Sequence, residues 1–120
     1  MAEIAPPFAA LMRAWNERDL SKIRGHVEQG VTPDVEFKDP NYAIKGIDAF
    51  TDMIRDFRVR MPNADVIRTS GIDQHHDRAR YSWVVVIDPN QSVIGFDAVA
   101  LGPDGKVARV DGFFGPLPPV

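Results

Sequence analysis

The chain has 120 residues, 44% of them hydrophobic and 26% charged, a balance that suits one folded domain over residues 1–120 and excludes a disordered chain. A formal net charge of −3 excludes a broad nucleic-acid-binding surface, and the absence of cysteine excludes disulfides, thiolate metal sites and cysteine nucleophiles. No apolar run approaches the about 20 residues of a membrane helix, and residues 1–5 lack the features of a secretory leader, so the expected location is cytoplasmic.

Pro6 and Pro7 suit the start of a helix, where a missing N–H costs nothing. Phe8, Leu11, Met12 and Trp15 recur at helical spacing and predict a first helix over residues 6–18. Asp19 reads as the cap of a second helix, with Leu20, Ile23 and Val27 as its stripe and Gly30 as its stop. A short strand over 35–38 ends at Asp39-Pro40, and 41–46 read as loop. The strongest helix follows, with Ile47, Phe50, Ile54, Phe57 and Met61 on one face and Pro62 closing it. Asp52 with Arg55, and Asp56 with Arg60, are spaced for ion pairs on its solvated face. Arg55, Arg58 and Arg60 together read as a basic cluster on that face.

From Ala64 the period changes to two, which predicts strands over 64–74, 78–88, 92–102 and 106–115. His76-Asp77, Pro89-Asn90 and Pro103-Asp104-Gly105 supply turn chemistry, and such short connections make antiparallel neighbours. Pro116, Pro118 and Pro119 cannot join a ladder, so 116–120 form an extended tail. The class is α+β: a curved antiparallel sheet with three helices from the N-terminal half packed on one face.

The strand over 92–102 is apolar on both faces, which predicts a central strand covered on both sides. Asp97 is then a carboxylate among hydrophobic neighbours. That costs several kcal/mol unless the group is paired, hydrogen-bonded or protonated. A structural partner would be Arg80 or Arg109; a functional one would be a ligand.

Val35-Glu36-Phe37-Lys38-Asp39-Pro40, Gly46 at the third helix, Gly95-Phe96-Asp97 before Pro103-Asp104-Gly105-Lys106-Val107, and Asp111-Gly112-Phe113-Phe114 together resemble the nuclear transport factor 2-like superfamily, in its SnoaL-like and steroid Δ-isomerase-like branch. The resemblance runs from Phe8 to Phe114. It implies a cystatin-like cone, with the helices on the concave face of the sheet and a deep pocket between. It implies proton transfer without cofactor or metal on a hydrophobic carbonyl compound, by an isomerase, cyclase or dehydratase. Asp39 falls where the isomerases carry their general base, and Asp97 where they carry a neutral aspartic acid that stabilises the enolate oxygen. Leu11 stands where they carry an oxyanion-binding tyrosine, so that donor is missing, and Tyr42 or Trp15 are candidates to replace it. The other reading of the fold is a pocket that binds a ligand or partner without catalysis. The resemblance further implies a homodimer through the outer face of the sheet.

His75 and His76 are strand neighbours that point to opposite faces, so they cannot chelate one metal together. One of them turned inward, His75 in the first instance, would be an auxiliary acid–base group, as a histidine is in the dehydratases. Trp15, Tyr42, Phe57, Trp83 and Phe114 are expected as core and as the wall of the pocket, where they would hold a hydrophobic small molecule. The two aspartates are expected to converge on that pocket from opposite walls.

Overall fold

In the computed structural model, which describes residues 4–120, helix α1 spans Pro6–Asn16 with its prolines in the first turn. Asp19 caps as expected, but it caps a single 3-10 turn, Leu20–Lys22, its Oδ1 accepting from Ser21 N at 3.0 Å. Helix α2, Ile23–Gly30, follows directly. Helix α3, Ile47–Arg60, starts after Gly46, whose φ of 92° only glycine adopts without strain.

The strands are β1 (Val31–Lys38), β2 (Ala43–Lys45), β3 (Asp65–Arg68), β4 (Asp73–His75), β5 (Arg78–Asp88), β6 (Gln91–Leu101) and β7 (Val107–Phe114). They form one curved, unclosed sheet in the order β2-β1-β7-β6-β5-β3, with β4 also pairing with β5. All pairings are antiparallel except β1 with β7, so the sheet is mixed at that one junction. β1 begins four residues earlier than the sequence suggests, at Val31 rather than Val35. Its pairing with β7 is irregular between Val31 and Glu36, and Pro33 sits in that interruption, where its missing N–H breaks no ladder. Residues 43–45, read as loop, are a short edge strand folded back on β1 around the Asp39-Pro40 turn. The strand expected over 64–74 divides into β3 and β4, because Ser70 Oγ takes the Ser82 N–H at 2.8 Å in place of a backbone carbonyl.

The three helices pack against one face of the sheet. Phe8, Leu11 and Ala14 of α1, Ile23 and Val27 of α2, and Phe50, Met53 and Ile54 of α3 meet Val31, Val35, Phe37, Val99, Val107 and Val110 in one core. β6 is central, yet only its helix-facing side is covered within the chain. On the other side Ile94 is 53% exposed and Phe113, stacked on Phe96, is 52% exposed. Among the described residues no helix is long and apolar enough to cross a membrane.

Arg58 corrects the reading of α3. It is buried, not solvated, and its guanidinium donates to the carbonyls of Trp15 at 3.1 Å, Pro62 at 2.7 Å and Ala64 at 2.7 Å. The charge ties the end of α3 to the end of α1, while Arg55 and Arg60 keep their expected pairs with Asp52 and Asp56. Replacing Arg58 by methionine should lower the unfolding free energy by about 3 kcal/mol, because three carbonyls lose charged donors. Urea denaturation reads this directly, and a change within about 0.5 kcal/mol would mean the site behaves as ordinary surface.

Candidate active site

Four neighbouring strands place one row of residues across the helix-facing side of the sheet. Tyr81 of β5 lies opposite Asp97 of β6, and Asp97 opposite Gly112 of β7. Lys38 of β1 is level with Asp111, which brings the next residue, Asp39, level with Gly112. A side chain at Gly112 would meet Asp97 Oδ1 at 3.1 Å and Asp39 Cβ at 3.2 Å. The bare glycine therefore leaves a gap between two carboxyls. They approach as neighbours along one sheet, rather than from opposite walls as expected.

Asp97 finds neither of the arginines considered for it. Arg80 pairs with Asp73 at 2.8 Å and Arg109 with Asp111 at 3.0 Å. Its Oδ1 instead accepts from Trp83 Nε1 at 3.0 Å. Gly95 makes that bond possible, since Trp83 lies opposite it and the indole folds across the space a side chain would fill. Withdrawal from water pushes the Asp97 carboxyl up to about 6, against the opposing pull of hydrogen bonding from Trp83 and Tyr81 and with a further push from the nearby Asp39 charge. Burial likewise drives the Tyr81 phenol well above its ordinary value, so it stays a neutral hydrogen-bonding group.

Asp39 occupies a different setting. Its Oδ1 accepts the backbone N–H of Asn41 and of Tyr42, each at 2.8 Å, and its own N–H donates to the Tyr42 carbonyl at 2.9 Å. This is the turn-forming role expected of Asp before Pro. It engages Oδ1, and among the described residues no hydrogen bond engages Oδ2.

Both carboxyls line a cavity of about 210 Å³ between the sheet and the helices. Its wall is mostly apolar, and the expected Trp15, Tyr42, Phe57, Trp83 and Phe114 all belong to it. Trp15 meets Phe57 edge-on at 5.4 Å, and Phe114 meets Trp83 edge-on at 5.7 Å. An apolar cavity of about 150 Å³ holds benzene, so this one admits a somewhat larger guest. Leu11 also lines it, confirming that no donor projects from that position.

Two expectations need correction. His75 does not face the cavity: it is exposed on β4, its Nδ1 3.1 Å from that of His76 in the following turn. β4 lies beyond the cavity wall, and the left-handed φ of 47° at His76 turns the chain away there. Tyr42 lines the rim but cannot serve as a free donor. Its hydroxyl donates to Asp56 at 2.6 Å, which raises its pKa, and accepts from Arg60 at 2.9 Å. Tyr81, Arg68 and Gly112 are cavity residues that sequence reasoning did not assign. Only the alternation placing Tyr81 and Trp83 on one face hinted at the first.

Comparison with known proteins agrees with this architecture. The SnoaL-like domain family matches residues 8–114. No curated protein matches the chain. Among solved structures, a candidate isomerase of the SnoaL-like family from Agrobacterium tumefaciens is 26% identical with a TM-score of 0.84, over 92% of this chain and 95% of that one. A candidate SnoaL-like polyketide cyclase from Jannaschia sp. is 16% identical with a TM-score of 0.67, over 95% of this chain and 91% of that one. A protein of unknown function with a cystatin-like fold from Methylobium petroleophilum is 13% identical with a TM-score of 0.75, over 94% of this chain and 76% of that one. With nearly its whole length matched, the chain belongs to the SnoaL-like domain family and has the cystatin-like, NTF2-like fold.

Proposed function

We propose that the chain is a cofactor-independent enzyme that shifts a proton on a hydrophobic carbonyl compound, in the manner of the SnoaL-like and ketosteroid isomerase-like proteins. The observation that carries this reading is the pair of carboxyls in unlike settings, Asp39 and Asp97, flanking the bare Gly112 on the wall of one apolar cavity. Pairs of titratable groups held at different proton affinities are how one site supplies both acid and base. Asp39, half-buried at the end of β1, takes a proton from the carbon next to the carbonyl. The bonding pair moves onto the carbonyl oxygen as an enolate. Asp97, protonated, donates a hydrogen bond to that oxygen, with Trp83 holding its carboxyl in place. Asp39 then returns the proton to the same or another carbon, closing the cycle with no net change of oxidation state.

A pKa of about 6 means that Asp97 is mostly ionised at neutral pH while the cavity is open to water. A hydrophobic guest that displaces the water pushes the carboxyl further up and restores the acid. The open apolar strip of Ile94, Phe96 and Phe113 supports pairing of two copies through the outer sheet face.

The test is exchange of the α-hydrogen in deuterium oxide, followed by proton NMR over a panel of hydrophobic ketones. The protein should catalyse exchange of at least one, and Asp39→Asn should slow it by about 100-fold or more. An Asp39→Asn variant exchanging as fast as the unaltered protein removes Asp39 as the base.

A further inference from the structure

The cavity wall carries two cationic side chains that the proton shift does not use, Arg60 and Arg68. Arg68 ends β3 with its side chain half-buried on the same sheet face as Val66, and it lines the cavity opposite Trp83. Its Nη1 donates to the Ser70 carbonyl, yet among the described residues no carboxylate lies within ion-pair distance of it. The other cationic residue of the wall, Arg60, sits exposed at the rim, 2.9 Å from Asp56 and bonded to Tyr42. Among the described residues, Arg68 is thus the cation of the wall that has no carboxylate partner. Its place opposite Trp83, whose indole bonds Asp97, puts it on the Asp97 side of the cavity.

We infer that the guest of this cavity is an amphipathic acid, an apolar body bearing a carboxylate that docks on Arg68. This deepens the proposed function and rests on the cavity being the substrate site. A cation drawn partly out of water, with most of its donors unengaged, is stabilised by a ligand anion that supplies acceptors in a fork geometry. The same anion placed beside the Asp39 carboxylate meets a like charge and is repelled. Arg68 is therefore the position on the wall that attracts it, and this orients the guest with its head at β3 and its body across Trp15 and Phe57. The substrate class becomes a hydrophobic keto acid in place of a neutral ketone.

Calorimetric titration with naphthylacetate and its neutral isostere naphthylacetamide tests this at low salt. The acid should bind about tenfold tighter than the amide. Arg68→Gln should bring the two within about twofold of each other, and Arg68→Lys, which keeps a point charge, should retain part of the preference. Equal binding of acid and amide to the unaltered protein, a preference that survives in Arg68→Gln, or failure of both probes to bind overturns the inference. Binding and exchange separate the two readings: deuterium exchange without acid preference sinks this one alone, and acid preference without exchange sinks proton transfer alone.

Discussion

Once a substrate is identified, kcat/KM should fall about tenfold for each pH unit above about 6, because that parameter follows the free enzyme and the acid form of Asp97 is lost there. The Asp97→Asn variant carries a donor that does not ionise, so its profile should be flat over the same range. Below pH 6 it should be at least about tenfold slower than the unaltered protein, since an amide N–H is a much weaker donor to an enolate than a carboxylic acid. By pH 8 the gap should close or reverse. Asp97→Ala removes the donor altogether and should cost about 100-fold or more below pH 6, with a flat profile that meets that of the unaltered protein near pH 8. A rate that rises through pH 6 would mean that Asp97 works as the base, and the two roles proposed above would have to be exchanged.

The same carboxyl should show a stability signature of its own. Its proton affinity is raised by folding, from 3.8 to about 6, so the fold binds this proton more tightly than the unfolded chain does. The stability it contributes is full below pH 3.8 and is lost as pH rises through 6, by about 2–3 kcal/mol in all. Asp97→Asn should therefore be more stable than the unaltered protein at pH 8, with the advantage vanishing below pH 4. Urea midpoints at the two pH values decide it.

Gly95→Ala should be the most damaging small change in the sheet. The added methyl would sit 2.3 Å from the Phe113 carbonyl oxygen and 2.4 Å from the Trp83 ring. A side chain can turn aside, but the carbonyl belongs to the neighbouring strand and moves only if β6 and β7 part. A loss of about 3 kcal/mol is expected. In whatever fraction still folds, Trp83 is displaced from Asp97, and removal of its N–H should carry the Asp97 pKa above 6. Native stability with an unshifted Asp97 titration would show that the indole does not depend on the bare backbone.

How far the sequence carried this picture can be judged residue by residue. Asp97 stood out because a carboxylate in an apolar run must be accounted for, and the structure supplies the account through Trp83 and Tyr81. Tyr81 itself was missed for a reason of register. Asp88 faces Gln91 across the turn, but past an irregularity at Ile87 the pairing steps so that Val86 faces Ser92. Without that step Tyr81 would lie opposite Ala98 and Trp83 opposite Phe96, and both would face away from Asp97. A one-residue slip inverts every side chain, and nothing local marks the step. Arg58 was misread for a similar reason: the spacing of charges on α3 gives the angle of each side chain but not what lies beyond it. The carbonyls that Arg58 reaches belong to the last turn of α1 and to the segment that follows α3.

By itself the sequence determined the three helices, the long strands, their order and the α+β class, because these rest on periodicity and on turn chemistry that act over a few residues. Only the tertiary structure decided which carboxyl faces which neighbour, that His75 lies outside, and that Arg68 lines the chamber with no carboxylate partner among the described residues. Those facts depend on strand register and on groups distant in the chain meeting in space. Coulomb and desolvation energies act across such distances, whatever the separation along the sequence.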